Sequence, residues 1–257
     1  MAFQHTIDND TVASLPAARF PGRIVVVDTN EQAEEACAEL SRHKIIGFDT
    51  ETRPSFRAGV SYKVALLQLS TEEVCYLFRL SQIRLSNSLL KILGSKQIVK
   101  VGADVTGDIR SLHALRHFQA DGFVDLQVEA SRWGIEEKSL RKLSAIVLGE
   151  RVSKAQRLSN WEATILTDQQ QEYAATDAWV CIRILQTLEQ TESVEGKRTI
   201  ISVAPPRESK EPIKGGKEAK EVKEAKEMRE DRVAKDGVKR PYKFRKRRNR
   251  ANKQPKI

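Results

Sequence analysis

Two hydrophobic rhythms alternate along roughly the first three quarters of the chain. Residues 23–28 carry Ile24, Val25, Val26 and Val27 as one short β-branched run, which predicts a strand. Asp28, Thr29 and Asn30 then offer N-cap side chains to a helix over residues 31–42. A second strand is expected over 45–50, followed by a loop over 53–61 that contains Pro54 and Gly59. Residues 64–70 and 74–78 are apolar runs separated only by Thr71-Glu72-Glu73 and read as a hairpin. The strand at 45–50 therefore joins an antiparallel meander.

Beyond the hairpin the rhythm changes. Helical spacing is expected over 87–93, a strand over 98–101, a helix over 109–118, and a strand over 123–126 leading into a helical stretch that reaches Trp133. Strands alternating with helices after a meander imply an α/β fold with a mixed sheet, antiparallel and parallel strands together, flanked by helices. Residues 139–148 form an amphipathic helix stopped by Gly149, and a polar loop through Trp161 leads to a last long helix over 167–188, capped by Thr167 or Asp168. Residues 1–21 have weak periodicity and two prolines, and are read as an irregular arm. The apolar pattern stops after Val194, giving three segments: the arm, a globular domain over 22–193, and a low-complexity tail over 194–257.

Charge sharpens this division. Residues 207–257 carry 20 Lys and Arg against 9 Asp and Glu, a net of +11, whereas residues 1–206 carry 24 basic against 26 acidic groups. The overall +9 thus belongs to the tail, and a basic tail on a slightly acidic body points to a polyanion partner. Lys-Glu-Ala and Lys-Glu-Val triplets from Lys217 have a period of three, so their apolar groups wind around any helix and build no seam; disorder is expected. In the run from Lys239 to Arg250, cationic side chains suit phosphates, and Tyr242 and Phe244 suit stacking on unpaired bases. A charged tail without a defined ligand and a localisation signal are the other readings. Cys37, Cys75 and Cys181 show no metal-ligand spacing or disulfide framework, and no apolar run reaches the length of a membrane span. A soluble, intracellular, cytoplasmic protein is expected, with its oligomeric state open.

The candidate chemistry is acidic. Asp49 and Glu51 follow Ile45, Ile46 and Phe48, and on a strand their spacing of two points both carboxylates to one face, where hard divalent cations would neutralise them. Alternatively the strand ends at Phe48 and both acids are solvated. Asp108 lies near the start of a helix after a glycine-punctuated turn, as a site acid or as a dipole-favoured helix-terminal one. Tyr173 and Asp177 are four apart on the last helix and share one face, as part of a site or as a surface pair.

Taken in order, Phe48-Asp49-Thr50-Glu51-Thr52, Val101-Gly102 through Gly107-Asp108, and Ser159-Asn160-Trp161 followed by Tyr173-Ala174-Ala175-Thr176-Asp177 resemble the DEDD superfamily of 3′-to-5′ exonucleases. The likeness is to its tyrosine-bearing subclass, the ribonuclease D and Werner-exonuclease branch, and spans about residues 24–188. The histidine-bearing subclass would need His where Glu172 stands. The resemblance implies an RNase H-like fold and two divalent ions, Mg²⁺ or Mn²⁺, held by Asp49, Glu51, Asp108 and Asp177. Asp49 would bridge the ions, Glu51 and Asp177 would hold the one carrying the attacking water, and Asp108 would serve the other. Tyr173 would orient the nucleophilic water. The substrate it implies is a single-stranded 3′ end of DNA or RNA, released as nucleoside 5′-monophosphates. Thr50 and Thr52 are candidate contacts to the terminal nucleotide, and Lys154, Arg157 and Asn160 candidate phosphate contacts. Asp104 is expected outside the metal centre and Trp161 in the core. A non-catalytic nucleic-acid binder that kept this fold is the alternative.

Overall fold

The computed structural model describes residues 2–193 and 197–206. Seven strands form one mixed sheet, β1 (Arg23–Val27), β2 (Ile45–Thr52), β3 (Val64–Ser70), β4 (Val74–Phe78), β5 (Val99–Gly102), β6 (Ala120–Asp125) and β7 (Ile201–Val203), in the order β1-β4-β3-β2-β5-β6-β7. β2, β3 and β4 pair antiparallel as the expected meander, whereas β1–β4, β2–β5 and β5–β6 pair parallel.

Helices cover both faces because β2 alternates. Ile46 and Phe48 enter a core shared with α2 (Asn30–Leu40), α3 (Asn87–Leu93) and α4 (Val105–His113). Gly47, Asp49 and Glu51 turn the other way, toward the 22-residue α7 (Asp168–Glu189), whose apolar side packs with α6 (Leu140–Leu148). α7 starts where its chemistry allows: the Thr167 hydroxyl accepts from Gln170 N, and the Gln170 side chain accepts from Thr167 N, a reciprocal cap.

Three boundaries differ from the sequence reading. The arm over 1–21 contains a helical turn and a half, α1 (Asn9–Ser14), capped by Asp8, and Val12, Ala18 and Phe20 are buried. One inward apolar residue is too few to show periodicity. The sheet also continues past Val194: β7 pairs antiparallel with β6, with Ile201 and Val203 against the core and the Ser202 hydroxyl on Asp121. A three-residue edge strand has too few positions to stand out in a polar sequence. α4 begins about a turn earlier than expected, directly after a tight turn at Gly102-Ala103-Asp104. The repeat and the basic run of the tail lie outside the described residues, as does the expectation of disorder there.

Candidate active site

β2 runs through both acids to Thr52, so Asp49 and Glu51 are strand residues on the face toward α7. Gly47 lets that helix approach. A Cβ on residue 47 would lie 2.0 Å from the Ala178 carbonyl oxygen, so any side chain there would push α7 off the strand. Ala174, Ala175 and Ala178 keep the approaching stretch small. Asp177 is thereby lowered onto the end of β2, and one carboxylate oxygen each from Asp49, Glu51 and Asp177 lie within 4.8 Å of one another.

Three carboxyl groups so close cannot all be ionised at little cost. Burial, then the Asp177 charge, holds Asp49 well above the usual carboxylate range. Burial and the Asp49, Asp177 and Asp108 charges push Glu51 up to about 10, and burial raises Asp177 to about 8. Asp177 Oδ1 is buried without a hydrogen-bond partner among the described residues. Hard oxygen donors in a tight group, one of them orphaned, fit a divalent cation of the magnesium or manganese type.

Asp108 stands on the other side of the strand end. It is not within the three-acid group, yet its carboxyl is raised by burial and then by Asp49. Thr50, which faces away from Asp49 and Glu51, donates its hydroxyl to Asp108 Oδ1 at 2.6 Å. The turn that presents Asp108 is unusual: Asp104 stands at the N-cap position of α4 with φ +64°, the left-handed region that Asp tolerates better than most residues, and makes no side-chain capping bond. Its side chain lies over Gly107, where a Cβ would come within 2.9 Å of Asp104 Oδ2.

The sequence reading gave Asp125 no role. Its Oδ1 accepts from Asp104 N at 3.2 Å and Gln127 N at 2.9 Å, tying the end of β6 to the starts of α4 and of a short helix, α5 (Leu126–Glu129). The available signal was an acid ending an apolar strand, the same arrangement as at Asp49. Asp104 lies outside the three-acid group, as expected.

Tyr173 sits one turn before Asp177, and the nearness of its hydroxyl to the Asp177 carboxylate lowers Asp177 and raises the phenol. Burial, followed by the Asp177 and Glu51 charges, keeps that phenol protonated well above its ordinary value. Its ring packs on buried Trp161 with centroids 6.0 Å apart, so Trp161 is a core residue.

The polar segment before α7 supplies the remaining candidates. Arg157 is exposed, and its charge acts on Glu51. Lys154 is exposed, and its carbonyl accepts from Arg157 N. Asn160 Oδ1 accepts from Glu162 N, and the residue lines a cavity of about 510 Å³ with Arg53, Phe56, Arg57, Tyr62 and Leu158. Thr52 follows a register shift at the end of β2. Buried Arg79, at the end of β4, donates to the carbonyls of Ala163 and Thr164 and holds this segment to the sheet. A second cavity, about 280 Å³, opens on Tyr173 and Asp177 and is walled by Ala17, Ala18 and Arg19 of the arm. The arm is fixed there by Ala18 N to Arg151 O, Arg151 N to Pro16 O, and Phe20 N to Thr176 Oγ1.

A mixed sheet whose central strand ends in paired acids, joined by a third from an apposed helix, defines a carboxylate centre for metal-assisted chemistry at phosphate. A 3′-5′ exonuclease family model matches residues 24–191, and the chain belongs to that family of hydrolases. The chain is 36% identical over 187 residues to the mouse bifunctional 3′-5′ exonuclease/ATP-dependent helicase WRN, covering 68% of this chain and 13% of that protein. It is 30% identical over 194 residues to a 3′-5′ exonuclease of Arabidopsis thaliana, covering 68% and 67% of the two chains. The fold is similar to the Aedes aegypti Nibbler EXO domain, with a TM-score of 0.59 at 22% identity over 73% of this chain and 92% of that one. It is also similar to Trypanosoma brucei RNase D in complex with RNA U12, with a TM-score of 0.59 at 22% identity over 72% and 66%. Among the described residues, no helix is long and apolar enough to cross a membrane.

Proposed function

We propose that this protein removes nucleotides one at a time from the 3′ end of single-stranded nucleic acid, releasing nucleoside 5′-monophosphates. The observation that carries this reading is the grouping of Asp49, Glu51 and Asp177 within 4.8 Å, with Asp177 Oδ1 unpartnered. A binding protein gains only repulsion of phosphate from such a group. Asp49, Glu51 and Asp177 would hold one divalent ion, Mg²⁺ or Mn²⁺, and Asp108 with Asp49 a second. When bound, such ions supply an activated hydroxide and charge stabilisation at the scissile phosphate.

The chain's own residues do the rest. Thr50 holds Asp108 in place through its hydroxyl. Tyr173 stays protonated and orients the attacking water by donating or accepting a hydrogen bond, without acting as the base. Arg157, beside Glu51, receives a phosphate of the incoming strand, with Lys154 and Asn160 further along the same segment and Thr52 and the Thr50 backbone toward the terminal sugar. The domain over 22–193, extended by β7, performs the chemistry, and the basic tail raises affinity through phosphate contacts. Choice between DNA and RNA rests on how the terminal sugar's 2′ position is received.

The test is matched 5′-labelled DNA and RNA oligonucleotides incubated with magnesium or manganese. The expected result is a ladder shortened from the 3′ end, absent with a chelator and with Asp49→Ala. Tight binding with intact substrate would favour the non-catalytic reading instead.

A further inference from the structure

Gln68 lies in the middle of β3, a strand in which every residue is buried, and is itself 0% exposed. Both ends of its amide, Nε2 and Oε1, lack a hydrogen-bond partner. Leaving an amide unpaired in a core is costly, whereas an apolar side chain of the same size carries no such cost. The flanking Leu67 and Leu69 are ordinary core residues facing the opposite layer. An unpaired amide at this position therefore calls for a partner within its reach.

Register shows where that partner is. Gln68 is directly opposite Asp49 across the antiparallel β2–β3 pair, so both side chains leave the sheet on the α7 face. Cβ atoms of such a pair are about 4.5–5.5 Å apart, within reach of a glutamine amide after rotation about its side-chain bonds. Residues that hold a metal-binding carboxylate from behind fix its orientation and strengthen the site.

We infer that Gln68 is a positioning residue for the carboxylate centre, its amide N–H donating to Asp49 when a divalent cation occupies the site. The inference deepens the metal-dependent reading above and rests on it for the identity of the centre. It assigns Gln68 no contact with the substrate. Removing the amide therefore weakens the cation and the turnover, and leaves oligonucleotide affinity alone.

The experiment compares full-length wild type, Gln68→Met and Gln68→Asn by Mn²⁺ titration calorimetry, metal-free thermal melting, and kcat and KM for 3′ trimming. For Gln68→Met, Mn²⁺ affinity and kcat should each fall about tenfold, the lower range for a hydrogen bond to a charged group. KM should hold, and the metal-free melting temperature should rise because an unpaired amide has gone. Gln68→Asn, which keeps a shorter amide, should recover part of the Mn²⁺ affinity. Unchanged Mn²⁺ affinity in a folded Gln68→Met would overturn the inference and leave Gln68 as a tolerated core amide. If wild type binds Mn²⁺ but trims nothing, the exonuclease reading fails while the calorimetric comparison still decides the role of Gln68.

Discussion

The Thr50 hydroxyl donates to Asp108 Oδ1 at 2.6 Å, joining the central strand to the first turn of α4 across 58 positions of sequence. Thr50 faces one layer and its neighbours Asp49 and Glu51 the other, so a single strand end governs acids on both sides of the sheet. Thr50→Val keeps the shape and removes the donor. Such a hydrogen bond is worth about 1.5–3 kcal/mol. We expect kcat to fall at least tenfold, with more metal needed for half-maximal rate and a melting temperature lower by several degrees. A metal dependence equal to wild type would remove Thr50 from this role.

Stability should follow pH and metal together. The carboxyls of Glu51 and Asp177 titrate higher in the folded protein, at about 10 and about 8, than in the unfolded chain. The folded state therefore retains protons that the unfolded chain releases at about pH 4. Their contribution is whole below that range and is lost as pH rises toward the folded values. Buried Lys100, lowered to about 7 mainly by desolvation, acts in the opposite sense only above that pH. Without divalent ions, the melting temperature should thus fall between about pH 5 and pH 7. Added Mg²⁺ or Mn²⁺ should raise it more at the higher pH, because the cation replaces the protons. A metal-induced shift equal at both values would contradict the carboxylate centre.

Tyr173→Phe separates orientation from binding. The phenol is protonated throughout the working range and lies beside Asp177, so the variant loses a hydroxyl from the centre without losing a charge. A drop in kcat of about 10²-fold is expected, the lower range for a positioned proton-handling group. Mn²⁺ affinity and KM should stay near wild type. Loss of Mn²⁺ affinity comparable with the loss of rate would mean that Tyr173 builds the metal site.

Truncation must respect β7. Removing residues 194–257 would strip Ile201 and Val203 from the edge beside β6, so the informative deletion begins at Arg207. Deleting residues 207–257 removes a net charge of +11. Binding to an oligonucleotide should weaken and its dependence on salt flatten, with kcat on saturating substrate retained. Identical salt slopes for the two proteins would rule out phosphate contact by the tail.

Much of this was legible in order and spacing. The period of two in Asp49 and Glu51 and of four in Tyr173 and Asp177 reports which side chains share a face, and both faces are where alternation and helical pitch place them. What the chain hid were relations between distant segments. Nothing local marks Gln68 as facing Asp49, since that depends on hairpin register. Asp125 drew no reading because its partners, the N–H groups of Asp104 and Gln127, belong to the starts of separate helices. The left-handed backbone of Asp104 was similarly silent, because aspartate adopts it without needing glycine.

The contact between Gly47 and the Ala178 carbonyl makes the carboxylate centre answerable to an atom that is missing. A single methyl at position 47 would act as a spacer, lifting the helix and carrying Asp177 away from two acids that had themselves not changed. The separation of the carboxylates is in this sense gauged from below, one turn of the strand's alternation beneath the chemistry. Damage at Gly47 should therefore present as loss of cation binding in a chain whose proposed ligands are all intact.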